Sequence, residues 1–124
     1  MITGTSGQGK SALALQLLAF GAQLVADDRV LLQLLDGQVV ASAPEPIRGL
    51  IEARFMGLLH AQIRSPVPVA ALVDLDEAEI ERLPVRHSTQ LLGQEVLRVK
   101  RVNGAHFAPA LMQYLRCGAL DPDA

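Results

Sequence analysis

An eight-residue glycine-rich segment near the start of the chain narrows the folds that this sequence can adopt. Residues 4–11 read G-T-S-G-Q-G-K-S and match every fixed position of G-x-x-x-x-G-K-[ST]. In this motif backbone N–H groups cradle a polyphosphate, the lysine places a positive charge on the outer phosphates, and the final hydroxyl can hold Mg²⁺. The helix that follows directs its positive N-terminal end at the same anion. We therefore predict nucleotide binding by Gly4, Thr5, Ser6, Gly7, Gln8, Gly9, Lys10 and Ser11.

A chance turn and a signal peptide are the alternatives to a phosphate-binding loop at this segment. A chance turn before a core helix would use the same small residues, and a signal peptide would combine Lys10 with the apolar residues 13–20. The glycine-rich start and the lack of an A-x-A exit argue against a signal peptide. Residues 11–26 carry no charge, but they are fewer than the ~18–20 apolar residues that cross a bilayer. A buried helix and strand account for them better.

The apolar pattern predicts an α/β fold with a mixed β-sheet and flanking helices. Residues 12–20 form a strong helical run closed by a glycine, and residues 23–26 suit a short buried strand. Asp36-Gly37 is the strongest short hairpin signal in the chain. The other expected elements are hairpin strands at 30–35 and 38–41, a buried strand at 69–75, an acidic loop or single helical turn at 76–82, short strands around a tight turn within 91–99, and a helix at 109–116 ending at Gly118.

The strand that should lead into the glycine-rich loop is nearly absent from the sequence. Such loops normally follow a buried strand, and only Met1, Ile2 and Thr3 precede this one. We therefore expect an N-terminal strand that is truncated, in a domain that is either clipped or completed by something else.

Length, charge and composition limit the classes of partner. At 124 residues the chain is one domain, which we assign to residues 1–120, followed by a frayed tail at 121–124. A net charge of −2 and 3% aromatic residues argue against nucleic-acid and membrane binding. A single cysteine permits no internal disulfide, so we expect a cytoplasmic protein. The oligomeric state stays open, with a homo-oligomer among the expectations.

Asp27 and Asp28 are the second informative feature. Phosphoryl transfer to a hydroxyl needs Mg²⁺ to neutralise the phosphates and a carboxylate to orient or deprotonate the acceptor. Adjacent residues on a strand point to opposite sides, whereas a turn at the end of a strand can bring both carboxylates to the phosphates in separate roles. The alternative is an Asp-Asp turn that only caps the next segment.

These residues together resemble a known family. Residues 4–15 read G-T-S-G-Q-G-K-S-A-L-A-L and residues 21–30 read G-A-Q-L-V-A-D-D-R-V, which is similar to the catalytic domain of HPr kinase/phosphorylase in its short single-domain bacterial forms. Residues 51–59, I-E-A-R-F-M-G-L-L, resemble the signature I-E-V-R-G-L-G-I-L of that family. The resemblance implies an HPr kinase/PEP carboxykinase-like fold.

The resemblance also implies an activity. Members of the family are ATP- and Mg²⁺-dependent kinases that phosphorylate a serine of HPr, the phosphocarrier of the sugar phosphotransferase system, and they often remove that phosphate as well. Their role is that of a phosphorelay sensor kinase that regulates carbohydrate metabolism. For this chain, the resemblance implies ATP and Mg²⁺ as ligands and an HPr-like protein as partner.

The resemblance implies roles for individual residues. Lys10 and the loop glycines would bind the β- and γ-phosphates, and Ser11 would hold Mg²⁺. Asp27 would act as acid and base toward the acceptor serine, and Asp28 would lie nearer the metal. Further contacts would come from Glu52 to Mg²⁺ and from Arg54 to a phosphate or the acceptor. For Glu52 and Arg54 an ordinary surface ion pair is the alternative.

Two departures from the family pattern lead us to expect a competent ATP binder with impaired catalysis. The family carries a histidine on the strand before the loop, whereas His60, His87 and His106 lie elsewhere and suit surface or hydrogen-bonded histidines. Phe55 stands where the signature has glycine, so its bulk could distort or block the acceptor side.

Two alternatives to the HPr kinase activity stay open. The chain could be another P-loop NTPase, such as a small-molecule kinase, although the absence of N-K-x-D argues against a GTPase. It could also be a catalytically impaired module that regulates by binding ATP.

Overall fold

The computed structural model describes residues 1–122, and these residues form a mixed α/β fold. Their strands and helices are β1 Ile2–Thr3, α1 Lys10–Ala19, β2 Leu31–Leu35, β3 Gln38–Ser42, β4 Leu50–Ala53, β5 Gly57–His60, β6 Val67–Pro68, β7 Ala71–Ala78, β8 His87–Leu91, β9 Gln94–Arg101 and α2 Phe107–Cys117, with a 3₁₀ turn at Glu45–Ile47. None of these helices has the length and apolar composition that crossing a membrane requires.

The largest sheet has the strand order β1-β7-β9-β8. Strand β7 runs parallel to both β1 and β9, with Val73 opposite Ile2 on one side and Val99 on the other. Strand β8 completes the sheet by pairing antiparallel to β9. Because parallel strands end at the same edge of a sheet, the segment after β1 lies beside the carboxyl ends of β7 and β9.

The core lies between this sheet and the two helices. Residues alternate along β7, so that Ala71, Val73 and Leu75 are buried on one face. Leu13 and Leu17, four residues apart on α1, lie on the same side of that helix and pack into the same cluster. From α2 the cluster receives Ala108, Leu111 and Met112. This packing holds α1 against β7, the neighbour of strand β1 that precedes the helix.

The smaller sheets are a three-stranded sheet of order β2-β3-β6 and the two-stranded hairpin β4-β5. The predicted turn between β2 and β3 is confirmed, with Leu35 opposite Gln38. Asp36 and Gly37 both have positive φ, at 50° and 76°, which is the backbone of a type I′ turn.

The mixed α/β fold is confirmed, and so are the first helix, the buried strand before Asp76 and the C-terminal helix, each with shifted ends. The helix predicted at 12–20 begins two residues earlier, at Lys10, because the Leu13 N–H already bonds the Gly9 carbonyl at 2.9 Å. The helix predicted at 109–116 spans Phe107–Cys117 and ends at Gly118, whose φ is 75°. The short strands predicted around a turn within 91–99 are β8 and β9.

Two of the predicted elements are wrong. Residues 23–26 form no strand: Leu24 makes one isolated bridge to Ile63, and the chain bends away after it. Residues 76–78 belong to β7 and not to a loop: pairing with β9 resumes after an irregularity at Ala78, opposite Arg101, and Glu77 contacts Arg98 and Lys100 of β9. Of the predicted tail, Asp121 lies 3.9 Å from the guanidinium of Arg86, and residues 123–124 lie outside the described residues.

A ladder of ionised side chains joins β7 to β9. The Arg98 guanidinium contacts Asp74 at 2.6 Å and Glu77 at 2.5 Å, and Lys100 contacts Glu77 at 2.9 Å. Hydrogen bonds from Lys100 and then Arg98 lower the pKa of Glu77 to about 2, and the hydrogen bond from Arg98 lowers the pKa of Asp74.

The free energy of unfolding should therefore fall with acidification in a defined window. A carboxylate whose pKa is lower in the folded state stabilises the fold above its unfolded value, here 4.5, and that contribution is lost as pH falls toward about 2. Urea unfolding of the chain and of Glu77→Gln between pH 2 and 6 measures this. The variant should show a shallower decline below pH 4.5; an identical decline in both proteins would contradict the assignment.

Candidate functional site

The glycine-rich loop, residues 4–11, wraps the space between β1 and the start of α1. Gly4, Gly7 and Gly9 have φ of 156°, 90° and 90°, which are backbone angles that other residues rarely adopt. A side chain at Gly4 would also meet β7, since its Cβ would lie 3.1 Å from the Leu75 Cβ. The loop closes on itself through the Gln8 N–H, which donates to the Thr5 carbonyl at 3.2 Å.

The start of α1 presents free N–H groups to this space. Gly9 lies in the N-cap position and no side chain caps the helix. The first N–H groups of a helix have no intrahelical acceptor, and the helix dipole adds partial positive charge at the same end. The loop and the helix start together have the features of an anion-binding cradle.

Lys10 adds a full positive charge to the cradle. Its Nζ donates to the Gly4 carbonyl at 2.7 Å and approaches the Thr5 carbonyl at 3.4 Å, so the side chain folds back over its own loop. No carboxylate of the described residues pairs with Lys10. The charge is therefore available to an incoming anion at the position that the motif predicts.

A cavity of about 380 Å³ lies between the start of α1 and the acidic pair; of the motif, Lys10 and Ser11 line it and residues 4–9 do not. It lies between α1, the segment 22–28 and β7, and its wall includes Lys10, Ser11, Asp27 and Asp28. Most of the remaining wall is apolar. A concave apolar space with a few convergent polar groups is the usual form of a small-molecule site.

The two aspartates occupy a bend that gives them different surroundings. Asp27 is half-buried, and its Oδ2 accepts a hydrogen bond from the Glu52 N–H at 2.9 Å. Asp28 is exposed, and its backbone is in the left-handed region with φ of 64°. The two carboxylates therefore differ in exposure and in hydrogen bonding.

Glu52 joins the site through its backbone, whereas Arg54 stays apart. On β4 the side chains of Ile51 and Ala53 are buried, which turns Glu52 outward to solvent on the other face. Arg54 begins the exposed turn after β4 and does not line the cavity. Its predicted contact with a phosphate or the acceptor stays a prediction.

Phe55 occupies the turn of the β4-β5 hairpin. Its φ is 68°, a left-handed angle that favours glycine, and its side chain is 100% exposed. The left-handed backbone at this position explains why the family signature has glycine there. The ring packs against no other part of the described chain. The obstruction of an acceptor by the exposed Phe55 ring therefore stays a prediction.

The histidines lie where the sequence suggested. His87 contacts the Glu79 carboxylate at 2.9 Å, so it is a hydrogen-bonded histidine on β8. His60 and His106 are exposed. None of the three lines the cavity.

Two residues beside the loop were missed from the sequence. Asp76 accepts hydrogen bonds from Thr5, and Arg101 donates to the Gln8 side chain at 3.2 Å. Asp76 directly follows the predicted buried strand, so the rule that strand ends gather at one sheet edge could have found it. For Arg101 the sequence carries no such signal.

The described residues suit Mg²⁺ bound partly by a ligand. No group of three or more His, Cys, Asp or Glu side chains within residues 1–122 could hold a metal ion by itself. Ser11 and Asp28 both line the cavity, whereas Glu52 is exposed on β4, outside the cavity wall, and is joined to the bend only through its backbone N–H. Mg²⁺ typically takes one or two carboxylates together with substrate phosphates, so these residues fit that ion.

Comparisons with known proteins show the family to which this chain is similar. A family model described as HPr Serine kinase C-terminal domain matches residues 1–100. The HPr kinase/phosphorylase of Bordetella pertussis is 37% identical over 112 residues, covering 80% of this chain and 36% of that protein. The HPr kinase/phosphorylase of Clostridium perfringens is 31% identical, covering 81% and 36%. The chain thus spans about a third of the length of these curated relatives.

A solved structure shares the fold. The HPr(Ser) kinase/phosphatase from Coxiella burnetii matches with a TM-score of 0.78 over 93% of this chain and 79% of that one. The two are 22% identical, so this likeness concerns the arrangement of strands and helices.

Proposed function

Because the chain belongs to the HPr serine kinase C-terminal domain family, we propose that it binds Mg²⁺-ATP at residues 4–11 and transfers the γ-phosphoryl group to a serine of an HPr-like phosphocarrier. The resemblance carried by residues 4–15, 21–30 and 51–59 is confirmed at the level of the family. The acceptor and the regulatory role in carbohydrate metabolism belong to the proposal, as do the catalytic domain at 1–120 and its cytoplasmic location.

One observation carries the proposal most directly. One cavity is lined both by Lys10 and Ser11, at the end of the motif, and by Asp27 and Asp28. Phosphoryl transfer needs a cradle for the phosphates and a carboxylate near the acceptor, in one space. The loop glycines and the start of α1 supply N–H donors to the phosphates, and Lys10 supplies charge.

Asp27 is the residue that we assign to the acceptor. Its Oδ2 is fixed by the Glu52 N–H, and its Oδ1 accepts no hydrogen bond within the described residues. In the forward direction Oδ1 takes the proton of the acceptor serine, whose oxygen forms a bond to the γ-phosphorus. The bond from that phosphorus to the β,γ-bridging oxygen breaks, and ADP leaves with the electron pair.

Ser11, Asp28 and Glu52 are the residues that would hold Mg²⁺. When bound, this ion offsets the negative charge on the phosphate oxygens. The different exposure of Asp27 and Asp28 supports this division of roles, because an exposed carboxylate can meet a hydrated ion, whereas Asp27 is half-buried and fixed by the Glu52 N–H.

Transfer of label from [γ-³²P]ATP tests the proposal. The chain is incubated with Mg²⁺ and an HPr protein, with the same HPr carrying alanine at its acceptor serine as the matched control, and with a panel of hydroxyl metabolites. Label on the serine of HPr alone is the expected result. Label on a metabolite instead would favour a small-molecule kinase. Tight ATP binding without transfer to any acceptor would overturn the kinase activity and favour a regulatory ATP-binding module.

A further inference from the structure

Thr5, the first variable residue of the glycine-rich loop, is hydrogen-bonded to strand β7, which is distant in sequence. Both donors of Thr5, its backbone N–H and its Oγ1 hydroxyl, reach the same oxygen, Oδ1 of Asp76, at 2.9 Å each. Asp76 lies near the carboxyl end of β7, the parallel neighbour of β1. Its own backbone N–H donates to the Asp74 carboxylate at 2.9 Å, which holds the backbone of the acceptor residue within β7.

The other side of the loop has a second tie. Arg101, the last residue of β9, donates from Nη1 to the Gln8 Oε1 at 3.2 Å and to the carbonyl of Leu75. Its Nε donates to Asn103 at 2.9 Å, which fixes the plane of the guanidinium. Thr5 and Gln8 are thus held from the carboxyl ends of β7 and β9, the next two strands of the sheet after β1.

The sign of the charge on Asp76 indicates what this residue does. A carboxylate next to a phosphate-binding loop repels the phosphates, so its value must come from the hydrogen bonds that it accepts and not from attraction of the ligand. The Thr5 N–H is turned toward Asp76 and is not offered to the cradle. Fixing this peptide limits the directions in which the next N–H groups of the loop can point.

We propose that Asp76 is a positioning residue for nucleotide binding: it holds Thr5 so that the loop is already shaped for phosphates before the ligand arrives, with Arg101 as the second tie. The proposal rests on the proposed function, because it takes residues 4–11 as the phosphate site. Preorganisation raises affinity because the ligand does not have to order the loop itself.

Calorimetric titration with Mg²⁺-ATP, and separately with inorganic pyrophosphate, tests this role. Asp76→Ala should weaken both ligands about 10-fold or more, because it leaves two donors of Thr5 without an acceptor. Asp76→Asn keeps an Oδ1 that can accept both bonds and should stay within about 3-fold of the parent chain. Thr5→Val keeps the shape and loses only the hydroxyl, so we expect an intermediate loss that does not add to that of Asp76→Ala.

Controls separate this role from the alternatives. Glu81→Ala removes an exposed carboxylate shortly after β7 and should leave both affinities unchanged. The melting temperature of each ligand-free variant shows whether the fold itself is weakened; if Asp76→Ala does not fold, Asp76→Asn and Thr5→Val decide. Rescue by asparagine supports positioning, whereas an equal loss in Asp76→Asn and Asp76→Ala that disappears without Mg²⁺ would overturn it in favour of a metal ligand.

Failure of the positioning role is distinguishable from failure of the proposed function. If the parent chain binds neither ATP nor pyrophosphate, the phosphate site itself is wrong. If the parent binds both and Asp76→Ala binds them equally well, the site stands and the positioning role is wrong.

Discussion

Asp27→Asn is expected to lower the rate of phosphoryl transfer about 10²–10⁴-fold, which is the usual contribution of a general acid or base. Binding of Mg²⁺-ATP should be retained. Asparagine has nearly the same shape, and its carbonyl oxygen can still accept the hydrogen bond from the Glu52 N–H. The variant loses only the capacity to take a proton. Single-turnover transfer to HPr measures the rate, and calorimetry measures ATP affinity.

Three further variants test the specificity of that result. Asp28→Asn and Glu52→Gln should raise the Mg²⁺ concentration needed for half-maximal transfer, because each removes a carboxylate that we assign to the ion. Asp36→Asn changes an exposed aspartate in the β2-β3 turn, away from the cavity, and should leave the rate unchanged. Full turnover in Asp27→Asn together with slow transfer in Asp28→Asn would mean that the roles are exchanged.

Lys10→Ala is expected to weaken ATP binding by about 1.5–3 kcal/mol, roughly 10–150-fold in Kd. The variant loses the charge over the loop and the hydrogen bond to the Gly4 carbonyl at 2.7 Å. Calorimetric titration with Mg²⁺-ATP measures the change, and the effect should be larger for ATP than for adenosine, which has no phosphates.

The chain's other lysine supplies the matched control. Lys100 belongs to the ion ladder between β7 and β9, so Lys100→Ala should lower stability slightly and leave ATP affinity near that of the parent chain. Unchanged affinity in Lys10→Ala would remove residues 4–11 as the phosphate site. A similar loss in both variants would point to a general effect of net charge.

Features of this fold that local sequence controls could be predicted. The glycine-rich loop, the helix after it and the Asp36-Gly37 turn each depend on a few adjacent residues with strong backbone preferences. The strand predicted at 23–26 is wrong. The residues of this segment line the cavity, and Leu24 forms one isolated bridge instead of pairing along a strand. An apolar run alone does not distinguish these cases.

The residues of the candidate site also divide into those that local sequence motifs predict and those that depend on the strand order. Lys10, Ser11, Asp27 and Asp28 were recognised from motifs, and the structure places all four around one cavity. The contacts of the loop with Asp76 and Arg101 depend on the strand order β1-β7-β9, which brings together residues about 70 to 90 positions apart. No local pattern encodes that order, and the acidic run that contains Asp76 looks like a solvated surface when its partners on β9 are unknown.

With nucleotide binding at residues 4–11 as proposed, we expect the hydrogen bonds from Thr5 to β7 and from Arg101 of β9 to Gln8 to link ligand occupancy to the opening of the sheet. A ligand that binds only the folded chain raises its stability by mass action, by about 2.7 kcal/mol at 100 times Kd. Where the ligand site shares hydrogen bonds with two strand ends, that stabilisation extends to the opening of those strands and does not stop at the loop. Amide hydrogen exchange in the middle of β7 therefore becomes a record of nucleotide occupancy at residues that lie away from the loop.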